Sequence, residues 1–85
     1  MRISYSKNFI KKSKKLDKRI RDMVYERIEL FSKDPYNSEL NNHPLKGKYK
    51  NYRSINITGD YRALYLTYDN LIVFDIVNTH SELYG

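Results

Sequence analysis

The chain predicts an α+β fold of order β-α-α-β-β-β, with a helical hairpin packed on one face of a small, mostly antiparallel sheet. Three observations carry that prediction. Ile20, Val24, Ile28 and Phe31 recur at spacings of four, four and three, which places them on one helical face. Three runs rich in β-branched and aromatic residues occupy positions 51–77, as strands require. Two turn signals, Thr58-Gly59-Asp60 and Asp69-Asn70, separate those runs.

Taken in order, Arg2 to Tyr5 reads as a short first strand. Ser6 then caps a helix beginning at Lys7, because its hydroxyl can accept from a free backbone N–H two or three residues on. This helix carries Phe9, Ile10 and Leu16. Asp17 caps a second helix running to about Lys33, and Met23 and Leu30 widen its apolar face. Asp34-Pro35 ends it, since proline disfavours the helical conformation in the residue before it. Residues 36–50 hold Asn, Pro, Gly and charge and read as a loop. In the next run Arg53, Ile55 and Ile57 alternate with Tyr52, Ser54 and Asn56, which assigns the two sets to opposite faces of a strand. Tyr61 to Tyr68 and Leu71 to Val77 complete the sheet.

Eighty-five residues predict one small domain with a single core. With 40% apolar and 31% charged residues, the composition is that of a soluble globular protein. The absence of cysteine excludes disulfides and thiolate metal sites. No apolar stretch approaches the roughly 20 residues that span a bilayer, and the first residues lack a signal-peptide apolar region. The expectation is a cytoplasmic protein without membrane contact. The net charge is +6 and unevenly placed: residues 1–33 hold eleven Lys/Arg against four Asp/Glu, and residues 34–85 hold five against six. Lys7, Lys11, Lys12, Lys14, Lys15, Lys18, Arg19 and Arg21 supply the excess. Such a surface attracts polyanions or an acidic protein; the plainer reading is a solvated helix face.

His43 and His80 are the only histidines, and His80 lies with Tyr84 just past the final strand. Imidazole exchanges a proton near neutral pH. Two imidazoles, a phenol and a basic surface point to RNA cleavage without a metal. Each has a structural alternative: a loop histidine bonded to backbone, a terminal surface histidine and a packed ring.

His43-Pro44-Leu45-Lys46-Gly47, Tyr52-Arg53, Asp60-Tyr61-Arg62-Ala63-Leu64-Tyr65 and Thr79-His80-Ser81-Glu82-Leu83-Tyr84-Gly85 together resemble the RelE/ParE superfamily of type II toxins. The resemblance is strongest to the YafQ-like, ribosome-dependent mRNA interferases. It covers nearly the whole chain and implies the RelE-like fold. It also implies an endoribonuclease that cuts mRNA in the ribosomal A site with no metal or cofactor. The 2′-hydroxyl would attack the adjacent phosphate, which needs a base, an acid and cations for the phosphoryl charge. The resemblance implies His43 and His80 as acid and base in unassigned order, Tyr84 at the scissile nucleotide, and Arg62 on the phosphoryl oxygens. Lys46, Arg53, Asp60 and Tyr61 match supporting or RNA-contacting positions. A cognate acidic antitoxin, the ribosome and mRNA are the implied partners, with operator DNA reached only through the antitoxin complex.

The chain departs from the YafQ pattern at Asn56, where relatives carry histidine, and at Ile76, where they carry arginine. Arg62 follows the RelE and YoeB patterns instead, so the site has a hybrid character. Two other readings share the fold. A ParE-like inhibitor of DNA gyrase would keep the Tyr-Arg strand but generally lacks the terminal His and Tyr. A degenerate, non-catalytic antitoxin-binding module would follow from the losses at Asn56 and Ile76.

Overall fold

The computed structural model describes residues 1–84. Its elements are β1 (Arg2–Tyr5), α1 (Lys7–Lys15), α2 (Lys18–Lys33), β2 (His43–Pro44), β3 (Arg53–Asn56), β4 (Tyr61–Tyr68), β5 (Leu71–Thr79) and α3 (His80–Tyr84). The five strands form one sheet in the order β1-β5-β4-β3-β2. β1 pairs in parallel with β5 and every other pairing is antiparallel.

Local chemistry sets the helices as the sequence predicts. Ser6 Oγ accepts from the Phe9 N–H at 3.1 Å and Asp17 Oδ1 from the Ile20 N–H at 3.0 Å, two N-caps in sequence. The helical face of Ile20, Val24, Ile28 and Phe31 is buried, with Met23 and Leu30 packed against its margin. Phe74, on β5, packs against Phe9, Phe31 and Tyr65 at ring separations of 5.3–5.9 Å. One expectation for α1 needs correction. Leu16 is buried but caps the helix instead of lying within it. Ile10 is 40% exposed among lysines, off the core face.

The loop expected at 36–50 contains more structure than predicted. Two 3₁₀ turns, Ser38–Leu40 and Gly47–Tyr49, flank the two-residue strand β2. The last element, α3, is also unpredicted. Thr79 and Glu82 form a capping box: Thr79 Oγ1 accepts from the Glu82 N–H at 3.2 Å, and Glu82 Oε1 accepts from the Thr79 N–H at 3.2 Å. Those bonds hold the Glu82 carboxyl below its usual range, so the box loosens as pH falls through that lowered value.

Alternation along the strands gives the sheet two faces. Ile55, Ile57, Ala63, Tyr65, Phe74 and Val77 enter the core. Ser54, Arg62, Leu64 and Asn78 therefore belong to the opposite, open face. The register between β4 and β5 slips at Leu64/Tyr65, leaving Asp75 unpaired in a β-bulge. No described helix is long and apolar enough to cross a membrane.

Candidate active site

One cleft on the open face gathers His43, Arg62, His80 and Tyr84, together with Asn41 and Leu45, around about 370 Å³. That volume is ordinary for a small-ligand site. Three separate parts of the chain deliver these side chains, and each is fixed by a bond visible in the fold.

His43 comes from β2, an edge strand held to β3 through the pairs His43↔Ser54 and Pro44↔Arg53. Just before it, Asn41 adopts the left-handed conformation (φ 46°), which asparagine tolerates better than most residues. The turn brings the Asn41 carbonyl 2.7 Å from His43 Nδ1. A carbonyl oxygen can only accept, so Nδ1 carries the proton. In the neutral ring the lone pair then resides on Nε2. Behind the strand, the Asn42 side-chain amide donates to the Pro35 carbonyl at 2.9 Å and to the Tyr65 hydroxyl at 2.8 Å. Arg53 Nε donates to Asn42 Oδ1 at 2.9 Å, and its guanidinium lies over the Tyr36 ring at 5.5 Å.

Arg62 comes from β4, with Asn56 on β3 and Asn78 on β5 directly across from it. Its Nη1 donates to the carbonyls of Thr58, Gly59 and Tyr61 at 3.1–3.3 Å. These bonds tether one end of the guanidinium to the hairpin turn. Arg62 has no acidic partner among the described residues. Nε and Nη2 make no hydrogen bond to a described residue. A guanidinium held this way has donors left for an anion.

His80 and Tyr84 come from α3. The His80 N–H, an unpaired donor in the first helical turn, donates to the Asp60 carbonyl at 2.8 Å. With the capping box, this orients the turn. The His80 and Tyr84 rings lie 4.8 Å apart, and both residues are exposed. Ser54 and Leu64, fully buried and paired across β3 and β4, lie beneath the open face.

The other expected supporting residues do not line this cleft. Arg53 projects with Ile55 on the core side and holds Asn42. Tyr61 packs against the core. Asp60 contributes its backbone carbonyl, and its carboxylate has no described bond. Lys46 is exposed at the start of the second 3₁₀ turn. Asn56 and Ile76, where the chain departs from the YafQ pattern, border hollows beside α2 and α1, while their strand register sets them directly across from Arg62 and Leu64. Sequence reasoning missed Asn41, Asn42, Thr79 and Glu82 as positioning residues. Only the Thr-x-x-Glu spacing of a capping box was a readable signal.

Tyr52 crosses the open face and donates to Asp75 Oδ2 at 2.6 Å. The phenol pKa is pushed up to about 12, chiefly by this bond to the carboxylate and secondarily by burial. Because the folded value exceeds the ordinary 10.0, the stability it supplies is complete below pH 10 and is lost as pH rises through the folded value. In Asp75→Ala, titration of tyrosinate absorbance should show one tyrosine moving from about 12 towards 10. An unchanged titration would contradict the assignment.

Comparison with known proteins places these features in a family. A family model described as the bacterial toxin of the type II toxin–antitoxin system, YafQ, matches residues 1–85. The mRNA interferase toxin YafQ of Escherichia coli K12 is 32% identical over 87 residues, covering 98% of this chain and 95% of the relative. The crystal structure of YafQ from Escherichia coli BL21(DE3) superimposes with a TM-score of 0.82 at 28% identity, covering all of both chains. YafQ in the Escherichia coli DinJ–YafQ toxin–antitoxin complex gives 0.78 at 29% identity, over 98% of this chain and 96% of that one.

Proposed function

The chain belongs to the YafQ family of bacterial type II toxins, and we propose that it is an mRNA interferase acting on ribosome-bound message in the cytoplasm. The observation that carries this reading is the convergence of His43, Arg62, His80 and Tyr84 on one open cleft. RNA transesterification asks for those groups: a base, an acid, a cation and a surface for a base to stack on.

His43 takes the proton from the 2′-hydroxyl, because its Nδ1–H is committed to Asn41 and its Nε2 holds the lone pair. The alkoxide attacks the adjacent phosphorus, and the phosphorus–O5′ bond breaks to leave a 2′,3′-cyclic phosphate. Protonated His80 gives its proton to the departing 5′-oxygen. Arg62 holds the phosphoryl oxygens through the donors not tied to the hairpin. Tyr84 packs against the nucleotide beside the scissile bond. Asn56 stands directly across from Arg62 and Ile76 across from Leu64, so both departures fall beside the cleft, whose lining nevertheless keeps all four of these groups. This favours a catalyst over a degenerate binding module.

The partner that restrains it is an acidic antitoxin. Lys7, Lys11, Lys14 and Lys15 surround Ile10 in a hollow of about 420 Å³ on the outer face of α1. An acidic segment with an apolar anchor complements that surface, and operator DNA is engaged only through the resulting complex. Induced expression should arrest growth, and mapping of message ends should reveal discrete in-frame cuts. Arrest without cuts would instead support the gyrase-inhibitor reading.

A further inference from the structure

A chain of aromatic rings leaves the cleft along the open face. Beyond His80 and Tyr84, the Tyr84 and Tyr49 rings lie 6.4 Å apart at 89°, and Tyr49 and Tyr52 lie 5.9 Å apart at 83°. None of these rings belongs to the hydrophobic core, so core packing does not account for them. Tyr52 is anchored at its far end by Asp75, which holds the row in place. The Lys48 ammonium sits 5.1 Å from the Tyr49 ring centroid. Lys46 and Lys50 are exposed on the same short segment, which puts three lysines within five residues of the chain.

From this arrangement we infer that Tyr49 and Lys48 form a nucleotide subsite beside the cleft. Tyr49 stacks the base next to the scissile position, and Lys48 meets its phosphate. The inference rests on the RNA-cleaving reading above and adds a second stacking position beyond Tyr84. Aromatic stacking accepts any base, because every base has a π-face. The subsite therefore contributes affinity and register, with little sequence preference.

The test uses ribosomes programmed with a message that carries 2-aminopurine at one position and a 2′-O-methyl group at the scissile nucleotide. Binding of the full-length toxin is read from fluorescence as the probe is moved along the message. One position should be quenched by wild type and by Tyr49→Phe, and lose that quenching in Tyr49→Leu with about tenfold weaker binding. Tyr49→Leu keeps an apolar side chain there, and thermal melting checks that it folds. Bound message whose quenching is indifferent to Tyr49→Leu would overturn the subsite, as would no binding at all. Tyr49-dependent quenching with no cleavage of the unmethylated message would uphold the subsite and sink the nuclease reading.

Discussion

Replacing His80 with alanine is expected to slow message cleavage by about 10²–10⁴-fold, the usual contribution of one positioned acid–base group. His80 is exposed, and its side chain contacts the Tyr84 ring without joining the core. Fold stability should therefore change by no more than about 0.5 kcal/mol, and melting curves would separate lost chemistry from lost structure. The effect should fall on turnover, because the proton transfer develops only as the phosphorus–oxygen bond breaks. Single-turnover cleavage on programmed ribosomes measures this directly. A variant that cuts at the wild-type rate would remove His80 from the mechanism and leave the terminal turn as scaffold.

Arg62→Ala should cost about 10²–10³-fold, the scale seen when one preorganised donor to a developing oxyanion is lost. Arg62→Lys is the sharper variant. Lysine keeps the charge but cannot tether one nitrogen to the Thr58, Gly59 and Tyr61 carbonyls while presenting a planar pair of donors to phosphate. Arg62→Lys should therefore recover only a small part of the rate. Full recovery would mean that Arg62 acts as a diffuse positive charge, and the hairpin tether would have no catalytic meaning. Single-turnover rates of the two variants, compared at saturating toxin, decide between these.

How much of this could be read from sequence follows from how local each signal is. The buried face of α2 and the caps at Ser6 and Asp17 depend on neighbours within a few residues, and each formed where predicted. Asp69 turns the last hairpin through a left-handed backbone (φ 50°), again a local preference. β2 was missed because two residues carry no period. It exists only because β3 offers a partner and Asn41 reverses the chain. The α3 capping box was hidden because Thr79 also ends the longest strand. The cleft itself is non-local, and the family resemblance located its residues where periodicity did not. Resemblance also drew Arg53 and Tyr61 towards the RNA. Alternation had already grouped Arg53 with Ile55 and Ile57 on the opposite face, and the hydrogen bond to Asn42 agrees with that grouping.

The chemistry at the cut is the most direct test of an imidazole-and-guanidinium site. Message cleaved on the ribosome by the wild-type toxin should carry a 2′,3′-cyclic phosphate on the upstream fragment and a 5′-hydroxyl on the downstream one. A 2′-deoxy nucleotide at the scissile position should block the cut. An upstream 3′-hydroxyl with a downstream 5′-phosphate would mean that water attacked in place of the ribose, contradicting the roles given to His43, Arg62 and His80.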